Sequence, residues 1–134
     1  MRHPVYEITL PAGFGYVSVL RWHPTYGDIL GVDVTPSDEP LIDTDAFKFG
    51  RIVIFPLRAA MAAKRLPARY AGDLQPQQAP NITFKFAVRD QSGGAIYWWL
   101  WDGAAITLAD ARQDLSSVPE RRVLTQKDFM NIWS

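Results

Sequence analysis

The chain has 134 residues, of which 48% are hydrophobic and 21% charged, and this composition suits one folded domain with a packed core. Its 14 basic and 14 acidic residues balance, so the broad nucleic-acid affinity of a strongly basic domain is not expected. Because cysteine is absent and only two histidines are present, disulfides, thiolate zinc sites and cysteine nucleophiles are excluded, and a histidine-rich metal site is not expected.

The N-terminal sequence lacks the apolar run of a secretory signal, and no window approaches the roughly 18 apolar residues that cross a bilayer. We therefore expect a cytoplasmic protein that has no membrane partner. We also expect a single domain over residues 1–134 that needs no cofactor or metal. The oligomeric state is not predictable from the sequence.

The first third of the chain predicts a β-meander. Strands are predicted at residues 5–10, 16–22 and 28–34, and the two segments that separate them contain glycine and proline. Residues 35–40 contain two prolines and two acids, which predict a loop.

The middle of the chain is less regular. Residues 51–55 predict an apolar strand that ends at Pro56. Residues 57–66 favour a short helix because they hold good helix formers, and an extended segment is the alternative because they follow the strand so closely. Residues 67–80 carry three prolines and a glycine, and this predicts a long surface loop within one domain.

The last third returns to strands. Alternating apolar residues predict a strand at residues 82–88, a turn cluster follows at 90–94, and residues 95–101 predict the next strand. Asp102-Gly103 predicts a type I′ hairpin turn into a strand at 104–108. A short C-terminal helix is predicted after Thr125, with Asp128 at the capping-box spacing.

These elements predict a mainly β protein with minor α. The expected architecture is a strongly bent antiparallel sheet or a small barrel with one or two short helices, because many strands with two apolar faces must be buried.

Two neighbouring stretches carry opposite charge. Every charged residue from 27 to 45 is acidic, namely Asp28, Asp33, Asp38, Glu39, Asp43 and Asp45. Every charged residue from 48 to 69 is basic, namely Lys48, Arg51, Arg58, Lys64, Arg65 and Arg69. The pattern is typical of two solvated surfaces that attract each other, and it also suits a surface that steers a charged partner.

An aromatic run at residues 97–101 is the second notable feature. On a strand, Tyr97, Trp99 and Trp101 share one face while Trp98 lies on the other. At least one face is expected in the core. If the other is exposed, it offers rigid aromatic area for a protein interface or for base stacking.

The sequence predicts no catalytic site. The glycines at 13 and 15 are too few for a phosphate-binding loop. His23 is typical of a turn residue, and Asp43 with Asp45 is more typical of a solvated loop edge than of paired catalytic carboxylates. We therefore do not expect an enzyme.

An apolar strand at residues 5–10 (VYEITL) precedes a glycine turn and an aromatic-led strand within residues 13–20 (GFGYVSVL). With the later segments IFPL (54–57) and WWLWDG (98–103), this order resembles the immunity protein 26 family of bacterial polymorphic-toxin systems. The resemblance implies a cytoplasmic protein that binds and occludes a cognate toxin without catalytic residues.

In that interpretation, the acidic stretch is the candidate face for a basic toxin. Exposed members of a tryptophan set are the candidate anchors, and this set consists of Trp98, Trp99 and Trp101. Three alternatives stay open: a small barrel that binds nucleic acid or peptide through residues 48–69, a small-molecule or hydrolytic enzyme, and a subunit of a larger assembly.

Overall fold

The structure is a computed structural model that describes residues 3–40, 43–89, 96–110 and 112–134. Within these residues it is mainly β, with 47% strand and 16% helix in two antiparallel sheets and two short helices, which confirms the predicted class. Neither sheet closes into a barrel, so that alternative is wrong. Contacts group the chain into a first unit, Met1–Pro80 with Val123–Ser134, and a second unit, Asn81–Arg122. The single folding domain stays a prediction.

The first unit contains a five-stranded antiparallel sheet of order β4-β3-β2-β1-β5. Its strands are β1 (His3–Leu10), β2 (Gly13–His23), β3 (Gly27–Ser37), β4 (Arg51–Ile54) and β5 (Ala68–Leu74). The predicted meander and the apolar strand that follows it are therefore confirmed. Bulges interrupt the pairing of β1 with β5 and, twice, that of β2 with β3.

Two segments that were predicted as loops contain strand. β3 continues to Ser37 because Pro36 lies beyond the part of β3 that pairs with β4, where its missing N–H breaks no ladder. Within residues 67–80, β5 pairs along β1, and Pro67 and Pro76 flank this strand rather than interrupt it. Both predictions were wrong because, in the sequence alone, a proline near the end of a strand cannot be distinguished from a proline in a loop.

Both faces of the first sheet are buried. One face, which includes Ile8, Val17 and Val53, packs with the helices α1 (Leu57–Ala62) and α2 (Gln126–Met130). The opposite face carries a smaller cluster that contains Val5, Tyr16, Phe47 and Leu74. Burial on two sides explains why residues 15–20 of β2 are buried without interruption.

The C-terminal helix docks as the sequence predicts. Thr125 Oγ1 accepts a hydrogen bond from the backbone N–H of Asp128 at 3.1 Å, which caps α2. Beyond α2, the Trp133 indole N–H donates to the carbonyl of Asp33 at 2.8 Å. Trp133 also lies directly against Gly15, where an added Cβ would come within 2.5 Å of Cε2 of the indole.

A buried carboxylate links three strands of this sheet. Glu7 of β1 lies directly opposite Tyr16 of β2 and Arg69 of β5. The Tyr16 hydroxyl donates to Glu7 Oε2 at 2.7 Å, and Arg69 Nε donates to Oε1 at 2.8 Å. The hydrogen bond from Arg69, helped by that from Tyr16, holds the pKa of Glu7 below its ordinary value of 4.5, although burial alone would raise it.

The second unit holds a three-stranded antiparallel sheet of order β6-β7-β8. Its strands, β6 (Phe84–Arg89), β7 (Ile96–Trp101) and β8 (Ile106–Leu108), confirm the three predicted strands with shifted ends. The predicted turn at residues 90–94 and the first residue of the predicted 95–101 strand lie outside the described residues.

The connection from β7 to β8 is a hairpin, but its turn is not the predicted two-residue type. Residues 102–105 separate the paired residues Trp101 and Ile106. Asp102 Oδ1 accepts hydrogen bonds from the backbone N–H groups of Ala104 and Ala105, and Gly103 takes a φ of 96°. The aspartate side chain therefore stabilises a longer loop by binding its backbone.

The contact of Trp133 with Gly15 yields a stability prediction. We expect Gly15→Ala to lower the free energy of unfolding by about 1–3 kcal/mol, because the new methyl group must displace the indole. In a Trp133→Ala background the same substitution should cost much less. Urea unfolding of the four proteins of this cycle measures the coupling, and additive costs would show that Gly15 and Trp133 do not pack together.

The Glu7 cluster predicts a pH dependence. Because the folded-state pKa of Glu7 is lowered, its stabilising contribution is present above the unfolded-state pKa and is lost as the pH falls through the folded-state value. Unfolding midpoints measured from pH 7 to pH 3 should therefore fall less steeply below about pH 5 in Glu7→Gln than in the wild type. Glu39→Gln, which changes an exposed carboxylate, is the matched control. A slope that Glu7→Gln leaves unchanged would contradict the assignment.

Candidate protein-binding surface

Two members of the predicted acidic surface are already bound within the protein. Asp28 is buried and accepts three hydrogen bonds from Arg58, of which two come from the side chain and one from the backbone N–H. Asp33 accepts the backbone N–H groups of Thr35 and Lys48. Asp28 is therefore not accessible to a partner, and the acceptor sites of the half-buried Asp33 are used in part by its own backbone contacts.

The other four acids remain on the surface. Asp38, Glu39, Asp43 and Asp45 are exposed. Asp43 also accepts the N–H of Asp45 at 3.0 Å and so caps a short 3-10 turn, but its side chain stays exposed. The surface is thus reduced to an acidic segment within residues 38–45, defined by these four side chains.

The basic stretch is also partly occupied. Arg58 binds the buried Asp28, and Arg69 binds the buried Glu7. The ion pair of Arg58 with Asp28 is an instance of the attraction between the two charged stretches that the sequence suggests. The remaining bases, Lys48, Arg51, Lys64 and Arg65, are exposed.

One face of the second sheet is apolar along all three strands. The register places Phe86 opposite Trp99 and Val88 opposite Tyr97, while Leu108 lies beside Trp99 on β8. Residues that lie opposite one another or two apart on a strand share a face. This face therefore carries Phe84, Phe86, Val88, Tyr97, Trp99, Trp101, Ile106 and Leu108.

Exposure differs between the residues of that face, and the exposed ones lie on the outer strand β8 or at the end of β6 and β7 that is farthest from the Phe84–Trp101 pair. Phe84 and Trp101 are buried, whereas Val88, Tyr97, Ile106 and Leu108 are between 45% and 58% exposed. We call these four exposed residues, together with the half-buried Phe86 and Trp99, the apolar patch. The guanidinium of Arg121 lies 3.9 Å from the centre of the Phe86 ring, so the patch carries a cation at that position. Exposed apolar patches that are rimmed by polar residues mark interaction sites.

The three tryptophans that were predicted as anchors have separate roles. Trp101 is 3% exposed, its ring centroid lies 6.0 Å from that of Phe84, and it belongs to the core. Trp98 lies on the opposite face of the sheet, where the ammonium of Lys85 sits 5.2 Å from its ring. Of the three, Trp99 alone lies in the apolar patch, and its role as an anchor stays a prediction.

The outer edge of β8 adjoins the patch. The N–H of Ala109 donates to the carbonyl of Trp98, so Trp99 and Leu108 form a non-hydrogen-bonded pair and the backbone groups of Leu108 and Ile106 point away from β7. No strand covers this edge in the part of the chain that the structure describes. The outer edge of β6, by contrast, is partly covered. The N–H of Lys85 donates to the carbonyl of Pro119, and the carbonyl of Lys85 accepts the N–H of Arg121.

Other kinds of site find no matching geometry among the described residues. No group of three or more His, Asp or Glu side chains there could hold a metal ion. Nor does that part of the chain contain a helix long and apolar enough to span a membrane. His23 Nδ1 accepts the N–H of Thr25 at 3.0 Å in the turn between β2 and β3.

Comparisons with known proteins return no relative, since no family model, curated protein or solved structure matches this chain. The resemblance to the immunity protein 26 family therefore stays a prediction that rests on the order of sequence segments.

The difference in burial between Trp101 and Tyr97 predicts losses of stability of different size at the two ends of β7. Trp101→Ala should lower the free energy of unfolding by about 3–5 kcal/mol, because it opens a cavity beside Phe84. Tyr97→Ala should cost less than about 1 kcal/mol, because half of that side chain is already in water. Urea midpoints followed by circular dichroism test both, and equal costs would contradict the assignment of the patch to the surface.

Proposed function

We propose that this chain is a non-catalytic binding protein of the immunity type, which binds and occludes a cognate protein toxin in the cytoplasm. The observation that carries the proposal is the apolar patch of the second sheet. Its Tyr97 and Trp99 are aromatic, and aromatic side chains dominate the binding energy of protein interfaces.

The patch has the physical properties of an interface centre. Burying the exposed half of Ile106 or Leu108 against a partner contributes on the order of 1 kcal/mol per side chain, before the cost of association. The open edge of β8 adds unpaired backbone donors and acceptors directly beside these side chains. A partner that covers both features gains apolar burial together with directional hydrogen bonds.

The acidic segment supports a basic partner. Its four exposed carboxylates lie in a stretch of sequence that carries no lysine or arginine, so no basic neighbour within that stretch neutralises their negative charge. Such a field accelerates the encounter with a positively charged protein without requiring direct contact. Many toxins that cleave nucleic acids need basic surfaces to bind phosphate, which fits this choice of partner.

The alternative of a small nucleic-acid-binding barrel lacks a comparable observation. The sheets are not closed, and Arg58 and Arg69 of the basic stretch are engaged by carboxylates that are buried. The apolar patch also fits a permanent subunit of a larger assembly, and the experiment below separates that role from immunity.

A survival assay tests the proposal. The product of the gene next to that of this chain is expressed in bacteria together with the wild-type chain, with Tyr97→Asp or with Tyr70→Asp. We expect the wild type to restore survival and Tyr97→Asp to lose at least about 100-fold of that protection, because a charge would be buried in the interface. Tyr70 is a tyrosine of similar exposure in the first unit, so Tyr70→Asp should protect fully.

Two results would contradict the proposal. One is a neighbouring product that is not toxic, and the other is full protection by a Tyr97→Asp variant whose melting temperature matches the wild type. A patch variant that dissociates a stable assembly yet leaves protection intact would assign the patch to the subunit role instead.

A further inference from the structure

A pocket lies in the first unit, where the hairpin of β2 and β3 meets the start of α1. This pocket has a volume of about 370 Å³. It is lined by Trp22, Gly27, Asp28, Pro56, Arg58 and Ala59. Trp22 lies directly opposite Asp28 in the strand register, so the hairpin itself places the aromatic ring beside the ion pair. The volume suits a group of about amino-acid size.

The ion pair presents only its cation to solvent. The side chain of Asp28 is 4% exposed and that of Arg58 is 47% exposed. Asp28 Oδ1 accepts Arg58 Nε at 2.9 Å and Nη2 at 2.6 Å, while Oδ2 accepts the backbone N–H of Arg58 at 3.0 Å. Both carboxylate oxygens are therefore used, and an approaching ligand meets guanidinium donors.

Arg58 retains donors for such a ligand. A guanidinium carries five N–H groups, and Asp28 takes the one on Nε and one on Nη2. Both N–H groups of Nη1 and one of Nη2 have no partner among the residues that the structure describes. One N–H of Nη1 and the remaining N–H of Nη2 form the end-on fork that binds a carboxylate through two parallel hydrogen bonds. Because Asp28 already holds the Arg58 side chain in place, ligand binding costs little further side-chain conformational entropy.

Trp22 supplies the apolar part of the site. Trp22 is 59% exposed and lies one position from the end of β2, and such exposure is unusual for tryptophan, which is highly buried on average. The indole offers a flat surface for an aromatic or aliphatic group beside the guanidinium. Tryptophan and arginine are also the residue types that most often dominate binding energy at interfaces.

We propose that this pocket binds a peptide C-terminus whose last side chain is aromatic, with the terminal carboxylate on Arg58 and the side chain against Trp22. The site is independent of the proposed function, because none of its residues belongs to the apolar patch or to the acidic segment. A carboxylate is the complementary ligand because the pocket exposes cationic donors, while its one carboxylate is buried and fully bonded.

The test follows the Trp22 indole N–H by NMR, with its signal assigned from Trp22→Phe. N-acetylphenylalanine should shift this signal saturably with a Kd on the order of 1 mM, as is typical of a ligand of this size. N-acetylphenylalanine amide, which lacks the charge, should bind at least about 10-fold more weakly. A peptide with an internal Glu-Phe pair and an amidated end, and inorganic phosphate, distinguish a side-chain carboxylate or a phosphate from a C-terminus.

Matched variants identify the residues responsible. Trp22→Ala should weaken binding of N-acetylphenylalanine at least about 10-fold when it is followed by ligand-observed NMR, whereas Tyr70→Ala, at an exposed aromatic elsewhere, should not. Arg58→Lys keeps the charge but removes the fork and should also weaken binding, whereas Arg65→Lys should not. If Arg58→Lys fails to fold, Trp22→Ala alone decides.

Three results would overturn the inference. They are the absence of a saturable shift up to about 20 mM ligand, equal binding of the acid and the amide, and wild-type binding by a folded Trp22→Ala. Tighter binding of the internal Glu-Phe peptide or of phosphate would also overturn the assignment to a C-terminus.

Discussion

The buried carboxylate of Glu7 is the constraint on which the first sheet depends. Because both faces of β2 are buried over residues 15–20, a slip of one residue would exchange one apolar face for the other, and hydrophobic burial alone would select no register. Glu7 removes this freedom, since it must lie opposite both Tyr16 and Arg69 to keep its hydrogen bonds. A slipped sheet would bury an unpaired charge, which is strongly destabilising.

The same kind of constraint positions the start of α1. Asp28 of β3 binds the backbone N–H and the guanidinium of Arg58, so this helix is attached to the sheet through a buried carboxylate.

The second sheet has the opposite character. One face of it is apolar on all three strands, and Tyr97 and Leu108 on that face are at least half exposed. The first unit thus contains buried carboxylates that are paired within the unit, whereas the second unit exposes apolar side chains to solvent. This contrast supports a binding function for the second unit.

The sequence predicted the strands better than the sites, for physical reasons. Alternation and glycine turns are local signals, and they located β1 to β4 and the capped helix after Thr125. The pairing of Asp28 with Arg58 joins residues 30 positions apart, so no local pattern distinguishes Asp28 from the exposed Asp38. For the patch, alternation could place Leu108 on the face of Trp99, but the side of the sheet that stays in water depends on tertiary packing.

The central claim is that a protein partner covers the apolar patch and the edge of β8. Hydrogen–deuterium exchange of the chain, alone and saturated with the neighbouring toxin, tests this claim most directly. The account predicts that backbone amides within residues 96–108 exchange at least about 10-fold more slowly in the complex, while those of residues 48–69 are unchanged. Protection confined to residues 48–69, or unchanged exchange across residues 96–108 in a saturated complex, would contradict it.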